Sequence, residues 1–405
     1  MVARYSESVI LKLYKKELMM IIEKMSSNEI FEQKLPYEIE RKFIPVFPEQ
    51  LEQFRTQSRP IEQFYLSHVD EPFSLRLRAA LSQDGSLTYT ATLKDAGKPH
   101  HDGLQRLEVE VPITEDMYAY FQNSGDYPTI RKLRAEPLPG LMIDFYDDSG
   151  VLIEAESQLS FDQFVHEHDL PYMEVTGDTS ATNEWMAHRN FRRHNSGDEA
   201  LVPLPELEAT LIVNELLQDV TPGNIAAAHI TGRSGSGKST LVREVQQRLE
   251  SLGISCTTLS TDDYHRGERW LRGYSGGEPW THWDDPIVYD TKAMADDLVR
   301  LRRGEAIMKR FIDFTDCEPK YDGTVRPAQV MLVEGIYAGS RDIYTPHARY
   351  YQMPTPLATC VGRRLLRDMR ERPEFADPAK SLLYMLTQAE PAYQNQLTTM
   401  GASRA

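Results

Sequence analysis

Residues 232–239 have the types and spacing of a loop that binds phosphate. They read Gly-Arg-Ser-Gly-Ser-Gly-Lys-Ser and fit the pattern G-x-x-x-x-G-K-[ST]. Glycines let the backbone bend around an anion, so that its N–H groups and the start of the next helix face the phosphates. Lys238 is expected to reach the β- and γ-phosphates, and the Ser239 hydroxyl is expected to hold a magnesium ion. The predicted nucleotide-binding residues of this loop are Gly232, Ser234, Gly235, Ser236, Gly237, Lys238, Ser239 and Thr240.

The segments on either side of this loop have the patterns of a strand and a helix. Residues 225–230 form a short apolar run, and after the loop apolar residues recur at helical spacing up to Gly253. A strand, a glycine-rich loop and a helix in this order are the context that the motif needs. We therefore favour a binding loop for ATP or GTP over a chance match in a loop rich in glycine and serine.

Charged and apolar residues alternate in a series of segments between residues 37 and 156. This period of two predicts antiparallel strands with one apolar and one charged face, and a solvated outer face would be the simplest explanation. Three pairs of glutamates argue against it, because like charges two apart on a strand repel each other unless something binds between them. The pairs are Glu38/Glu40, Glu108/Glu110 and Glu154/Glu156.

Paired carboxylates suit hard divalent cations, and interspersed arginine and lysine suit phosphate oxygens. A closed barrel with the charged face inward would therefore form a tunnel for a metal–polyphosphate complex. Residues 38–42, Glu-Ile-Glu-Arg-Lys, resemble the E-x-E-x-K signature of the CYTH, or triphosphate tunnel metalloenzyme, superfamily, and the resemblance extends over residues 31–192. It implies an antiparallel barrel whose lumen binds tri- or pyrophosphate with Mg²⁺ or Mn²⁺.

The same resemblance implies roles for single residues. Glu38, Glu40 and Lys42 would be catalytic, with Lys42 near the attacked phosphate. The implied phosphate ligands are Arg76, Arg78, Lys94, Arg106, Lys132 and Arg134. The implied metal ligands and water-positioning groups are Glu38, Glu40, Glu108, Glu110, Asp144, Glu154 and Glu156.

From residue 225 onward strand and helix patterns alternate, as a parallel α/β sheet requires. Residues 224–393 resemble the uridine kinase/phosphoribulokinase branch of P-loop kinases. The resemblance implies that Asp262 is the catalytic aspartate and that Glu334, on the Walker B-like strand, joins Ser239 as a metal ligand. It also implies an arginine-rich lid helix over residues 363–372, which would neutralise phosphate charge. The implied nucleotide-binding arginines are Arg364, Arg367 and Arg372.

One part of this second resemblance is incomplete. Asp316, Cys317 and Glu318 stand where the family has its nucleoside-contacting histidine and arginine. A polar group left unpaired in a hydrogen-bonding site costs specificity. We therefore expect the domain to bind ATP without phosphorylating uridine or cytidine efficiently.

Length and charge bound the remaining possibilities. The chain has 405 residues and a net charge of −16, which disfavours a general nucleic-acid-binding protein. Its three cysteines form no C-x-x-C pair and indicate free thiols. We see no apolar run of membrane-span length and no signal peptide, so a cytoplasmic protein is expected.

The expected organisation has four parts. An amphipathic helix within residues 1–30 is followed by a tunnel domain (31–195), a linker (196–223) and a P-loop domain (224–405). The fold class is thus an α+β antiparallel tunnel barrel followed by an α/β parallel-sheet kinase-like domain. The N-terminal helix is expected to pack on its own protein or on a second copy, which would give a homo-oligomer.

The leading functional hypothesis is a metal-dependent phosphohydrolase. Its tunnel would act on inorganic triphosphate, pyrophosphate or a small organic triphosphate, while the second domain binds ATP or GTP. One alternative is an active nucleoside or small-molecule kinase with an accessory polyphosphate-binding barrel. A further alternative is a non-catalytic sensor of nucleotides and polyphosphates.

Overall fold

A computed structural model of the chain describes residues 36–68, 71–82, 84–147, 150–194, 209–221, 223–313, 316–371 and 377–401. The predicted N-terminal helix, half of the predicted linker and Arg372 lie outside these residues. The chain divides into two compact units, Met1–Ala200 with Leu365–Leu383, and Leu201–Arg364 with Tyr384–Ala405. Among the helices that the structure describes, none has the length and apolar character needed to cross a membrane.

The first unit contains ten antiparallel strands. They are β1 (Tyr37–Pro45), β2 (Arg59–Tyr65), β3 (Phe73–Leu81), β4 (Leu87–Asp95), β5 (Lys98–His100), β6 (Gly103–Pro112), β7 (Thr129–Leu138), β8 (Leu141–Tyr146), β9 (Gly150–Ala155) and β10 (Tyr172–Glu174). Their order is β10-β1-β9-β8-β7-β2-β3-β4-β6-β5, and β1 also pairs with β6. That last pairing closes eight strands into a barrel, which confirms the predicted antiparallel barrel.

Four helices of this unit pack on the barrel, the first three on its apolar outer face and the fourth against side chains of the inner face such as Ile130 and Tyr146. They are α1 (Glu52–Arg55), α2 (Glu115–Ser124), α3 (Gln158–His168) and α4 (Asn183–His194). Helix α3 begins where the Ser157 side chain accepts the Ser160 N–H, a standard N-cap. Its Phe161 stacks on Phe43 of β1 with ring centroids 3.7 Å apart. Because side chains alternate along a strand, burying one face under helices turns the charged face toward the lumen.

The second unit, to which Leu365–Leu383 does not belong, folds around a four-stranded parallel sheet of order β12-β15-β11-β16. The strands are β11 (Ala226–Thr231), β12 (Cys256–Ser260), β15 (Val330–Gly335) and β16 (Arg349–Gln352), with a separate hairpin of β13 (Ile307–Asp313) and β14 (Glu318–Val325). The helices from residue 209 onward are α5 (Ala209–Asp219), α6 (Lys238–Ser251), α7 (Glu268–Tyr274), α8 (Thr291–Arg302), α9 (Leu357–Glu371), α10 (Pro378–Tyr384) and α11 (Glu390–Gly401). A π-helical turn, Met385–Ala389, joins α10 to α11. The predicted parallel sheet is confirmed.

Both faces of this sheet are apolar, as a parallel sheet between helices requires. Ala228 and Ile230 of β11 and Leu332 of β15 pack with α5 and α6 on one side. Met331 and Val333 of β15 pack with α8 on the other side. The alternation within each strand therefore fixes which helices lie on which face, and the polar ends of the strands are left to form a site.

Candidate functional site

The parallel register brings three predicted site segments to one edge of the sheet. Ile230 of β11 and Ser260 of β12 both pair with Glu334 of β15. The chain then leaves these strands as the glycine-rich loop, the 3₁₀ turn that contains Asp262, and the segment after Gly335. Ligands of open α/β sheets bind outside the carboxyl ends of the strands, so this edge is the candidate nucleotide site.

The glycine-rich loop has the geometry of a phosphate-binding loop. Gly235 and Gly237 have φ values of +81° and +90°, which disfavour any residue with a side chain. A Cβ atom on Gly235 would lie 2.3 Å from a backbone oxygen of Cys360. Lys238 Nζ donates to the carbonyl oxygens of Gly232 and Arg233 at 2.9 Å each, which holds the ammonium group across the loop.

Carboxylates crowd next to this loop. Ser239 Oγ donates to Glu334 Oε1 at 3.2 Å, as expected for two groups that share a metal ion. Burial, followed by the charge of Asp262, raises the pKa of Glu334 above its usual range. Burial, with Asp262 and Glu334, likewise raises the pKa of Asp263 to about 6. This excess negative charge fits a divalent cation bound through Ser239 and Glu334. Asp263, whose carboxylate adds to this charge, was not among the residues predicted from the sequence.

A second polar cluster lies in the same unit, around Asp284. Its carboxylate accepts the Tyr384 hydroxyl at 2.6 Å and lies 3.6 Å from Arg364 Nη1. Asp284 is 6% exposed. Burial, with the charges of Asp262 and Asp284, raises the pKa of the Tyr289 phenol well above its usual range. The structure thus joins the predicted Arg364 to an aspartate that sequence analysis did not select.

Residues predicted near the acceptor are already engaged within the protein. Glu318 Oε1 accepts the Arg269 backbone N–H at 2.9 Å, at the start of α7. Asp316 pairs with Lys320 at 3.0 Å. On α9, Arg367 Nη2 lies 3.6 Å from Asp368. Asp316 and Glu318 therefore both have partners within the protein.

The barrel lumen carries the other predicted site residues, and at one end they form a chain of ion pairs. Lys94 Nζ contacts Glu38 Oε1 at 2.6 Å and Glu108 Oε2 at 3.0 Å. Arg106 contacts both Glu38 and, at 2.8 Å, Glu40. Lys42 Nζ lies 3.2 Å from Glu40. Arg76 extends this chain to Glu108 and Glu110 at 3.7 and 3.9 Å, and Arg78 lies 4.0 Å from Glu110.

A second lumen cluster centres on Asp144, which is fully buried. Lys132 Nζ donates to Asp144 Oδ2 at 2.6 Å, and Arg134 makes two hydrogen bonds to the same carboxylate at 2.6 and 2.7 Å. Arg134 also reaches Glu154 at 3.3 Å. Against the effect of burial, Arg134 and Lys132 lower the pKa of Asp144 to about 2. Burial and the charge of Arg134 lower the pKa of Lys132 to about 7.

Two lumen carboxylates, Glu40 and Glu156, have features that suit a further ligand. Glu40 Oε2 is buried and has no hydrogen-bond partner within the residues that the structure describes. Burial, with the charges of Glu154 and Glu38, raises the pKa of Glu156. These two groups fit a divalent cation, with Glu40 offering its Oε2 atom while its Oε1 atom pairs with Arg106 and Lys42.

Helix α4 brings residues to the barrel that sequence analysis did not assign to the site. Asn183 Oδ1 accepts from Lys132 Nζ at 3.1 Å and from the Tyr146 hydroxyl at 2.7 Å. Glu184 accepts the Ser67 hydroxyl, and burial raises its pKa to about 7. Only the tertiary packing of α4 creates these contacts, so no local pattern could have indicated them.

Solved structures with similarity to parts of the chain include two of low sequence identity. Among solved structures, a chain assigned as a fructose transport system kinase from Silicibacter sp. TM1040 is 20% identical with a TM-score of 0.41, covering 47% of this chain and 95% of that one. A Hippeastrum protein, assigned as an adenylyl cyclase with a dominant triphosphatase activity, is 14% identical with a TM-score of 0.27, covering 38% of this chain and 96% of that one. Neither match is close enough to support a conclusion about function.

Sequence comparison is more specific for the second half. A uridine kinase of Staphylococcus aureus (strain JH9) is 30% identical over 152 residues, which make up 36% of this chain and 70% of that enzyme. Residues 228–395 match the Phosphoribulokinase / Uridine kinase family. Through this C-terminal region, which holds the glycine-rich loop, Asp262 and Glu334, the chain belongs to the phosphoribulokinase/uridine kinase family.

Proposed function

We propose that the C-terminal domain transfers a phosphoryl group from ATP to a hydroxyl group of a small molecule. The observation that carries this proposal is the convergence of Lys238, Ser239, Glu334 and Asp262 at the carboxyl edge of one parallel sheet. Family membership supports it, because the Staphylococcus aureus relative is a uridine kinase.

Each residue of this edge has a role that its chemistry suits. The loop N–H groups and Lys238 hold the phosphates, and Ser239 and Glu334 hold Mg²⁺, which neutralises phosphate charge. Asp262 accepts the proton of the attacking hydroxyl. Arg364 of α9 stabilises charge on the transferred group.

We propose that the acceptor is rich in hydroxyl groups and that uridine and cytidine are poor substrates. The carboxylate of Asp284, beside Arg364 and the Tyr384 hydroxyl, can bind a pair of hydroxyls. The base-contacting positions of the family hold Asp316, Cys317 and Glu318, and both acidic residues are engaged elsewhere.

Labelled ATP offered with uridine, cytidine and a panel of sugars and polyols tests this proposal. We expect transfer to a polyol that is lost in Asp262→Asn. Rapid formation of UMP or CMP, dependent on Asp262, would contradict the acceptor proposal and leave the kinase proposal standing. Absence of transfer to every acceptor would contradict both.

A second proposal concerns the barrel: that it binds and hydrolyses a tri- or pyrophosphate. The observation that favours it is the lumen, where buried cations such as Lys94 and Arg106 lie beside Glu40, whose buried Oε2 atom lacks a hydrogen-bond partner within the described part of the chain. A cation at Glu40 and Glu156, Mg²⁺ or Mn²⁺, would bring the phosphates among these lysines and arginines. We propose that water, positioned by the lumen carboxylates, attacks the bound phosphate.

Phosphate release from pyrophosphate, triphosphate, thiamine triphosphate and ATP, with Mg²⁺ or Mn²⁺, tests the second proposal. We expect release that Glu38→Gln and Glu40→Gln abolish, with partial rescue by excess Mn²⁺. Binding of triphosphate without release would instead support a polyphosphate-sensing barrel. Cyclic AMP formed from ATP would indicate a cyclase.

A further inference from the structure

The second residue of the glycine-rich loop, Arg233, is held by a carboxylate far along the chain. Its Nε and Nη2 atoms donate to Glu390 Oε2 and Oε1 at 2.7 and 2.9 Å. Its guanidinium carbon lies 4.8 Å from the centroid of the Tyr393 ring. Although burial opposes it, the hydrogen bonds and charge of Glu390 raise the pKa of Arg233. A bidentate, buried arginine–carboxylate pair is among the stronger and more directional contacts in proteins.

The backbone of Arg233 connects this pair to the phosphate-binding lysine. The Arg233 carbonyl accepts Lys238 Nζ at 2.9 Å and the Ser236 N–H at 3.1 Å. The carbonyl group that accepts the Lys238 hydrogen bond therefore belongs to the same residue, Arg233, whose side chain is bound by Glu390. Neither Arg233 nor Glu390 is one of the fixed positions of the G-x-x-x-x-G-K-[ST] pattern.

Glu390 is 5% exposed, and its negative charge lies within electrostatic reach of the loop. Glu390 pairs directly with the second residue of that loop, with its Oε2 atom 2.7 Å from Arg233 Nε. An uncompensated carboxylate here would repel the phosphates of ATP, so the charge is tolerable only while Arg233 pairs with it. The pair therefore combines two effects, geometric support of the loop and neutralisation of a nearby acid.

We propose that Glu390 is a positioning residue for ATP: acting through Arg233, it holds the start of the glycine-rich loop in the conformation that receives the phosphates. This inference rests on the proposed binding of ATP and adds a residue from the C-terminal helix to that site. The same helical segment also reaches the acceptor side, since Tyr384, just before the π-helical turn, donates to Asp284. Such turns are frequent at functional sites.

The affinity of ATP with Mg²⁺, measured by isothermal titration calorimetry, tests the proposal in the full-length protein. We expect Glu390→Gln to weaken binding by roughly tenfold or more, because one charged partner of a hydrogen bond is lost. Asn395→Ala, at an exposed position of the same helix, is the matched control and should bind as the wild type does.

A second set of variants distinguishes a positioning role of Glu390 from a purely structural one. Arg233→Met should weaken binding more than Glu390→Gln, because it leaves the buried carboxylate uncompensated near the phosphates. Adding Glu390→Gln to Arg233→Met should then improve ATP binding. A purely structural role predicts the opposite, namely that the double variant is the weakest of all.

The outcomes distinguish the possible failures. Wild-type protein that binds no ATP contradicts the proposed kinase function and this inference with it. Binding by the wild type, with Glu390→Gln within about twofold of it, contradicts only the inference. If Glu390→Gln does not fold, Arg233→Lys provides the test, since it keeps the charge but loses the paired hydrogen bonds. Unchanged affinity of this variant for ATP would refute the proposal.

Discussion

Glu184 at the start of helix α4 should make the stability of the barrel depend on pH. Its carboxylate accepts the Ser67 hydroxyl and a hydrogen bond from Ser74, while Glu71 repels it and Arg106 attracts it. Burial is the largest influence and raises its pKa from 4.5 to about 7. Because 1.36 kcal/mol corresponds to a tenfold change in proton affinity, the difference is worth about 3 kcal/mol.

The sign of this effect follows from proton binding. Between pH 4.5 and about 7 the folded state keeps the Glu184 proton while the unfolded chain releases it. The contribution to stability is therefore fully present below pH 4.5 and is lost as pH rises through about 7. Glu184→Gln carries no such charge, so at pH 8 it should be more stable than the wild type by up to about 3 kcal/mol.

Urea unfolding at pH 5, 6, 7 and 8 measures this difference. Trp185 is the neighbour of Glu184 and reports on α4 once the other three tryptophans, Trp270, Trp280 and Trp283, are replaced by phenylalanine. Phosphate release by the same variants shows whether the barrel site is intact. A stability difference between wild type and Glu184→Gln that stays constant from pH 5 to pH 8 would refute the reasoning.

Three further predictions follow from contacts in the two domains. Asp144→Asn should destabilise the barrel by about 3–5 kcal/mol in urea unfolding, because Lys132 and Arg134 lose a buried partner; a loss under about 1 kcal/mol would contradict this. Lys238→Ala should abolish ATP binding in calorimetry and leave phosphate release from triphosphate unchanged; loss of both activities in folded protein would show that hydrolysis does not take place in the barrel. Gly235→Ala should lower ATP affinity by at least roughly tenfold, because its Cβ would lie 2.3 Å from a backbone oxygen; wild-type affinity would show that the loop adjusts freely.

Sequence patterns predicted those parts of the molecule that are formed by residues close together in the chain. The strand alternation around Glu38 and Glu40 predicted antiparallel strands with one charged face, because only side-chain direction along each strand was needed. The resemblance to the CYTH superfamily implied that these strands close into a barrel. The glycine-rich loop was likewise predictable, since one short segment supplies the backbone bend, Lys238 and Ser239.

The contacts that the sequence did not predict join distant segments. Arg233 and Glu390 are 157 residues apart, and each has an ordinary local context. Asn183 and Glu184 become part of the barrel only because α4 packs on it, and the depressed pKa of Lys132 arises from burial. Such properties depend on tertiary distances and desolvation, which a single sequence does not encode in any fixed spacing.

The closure of the barrel through its first strand has a consequence for synthesis of the protein. Strand β1 pairs with β6 at residues 104–107 and with β9 at residues 153–155, so its partners emerge from the ribosome much later. At about 5–20 residues per second, Ala155 follows Arg41 by roughly 6–23 s. Until β6 emerges, β1 has no permanent neighbour, and pairing of such high contact order is slow even in the complete chain. The alternating charges of Glu38, Glu40 and Lys42, which later line the lumen, would meanwhile keep the waiting strand from associating with other nascent chains.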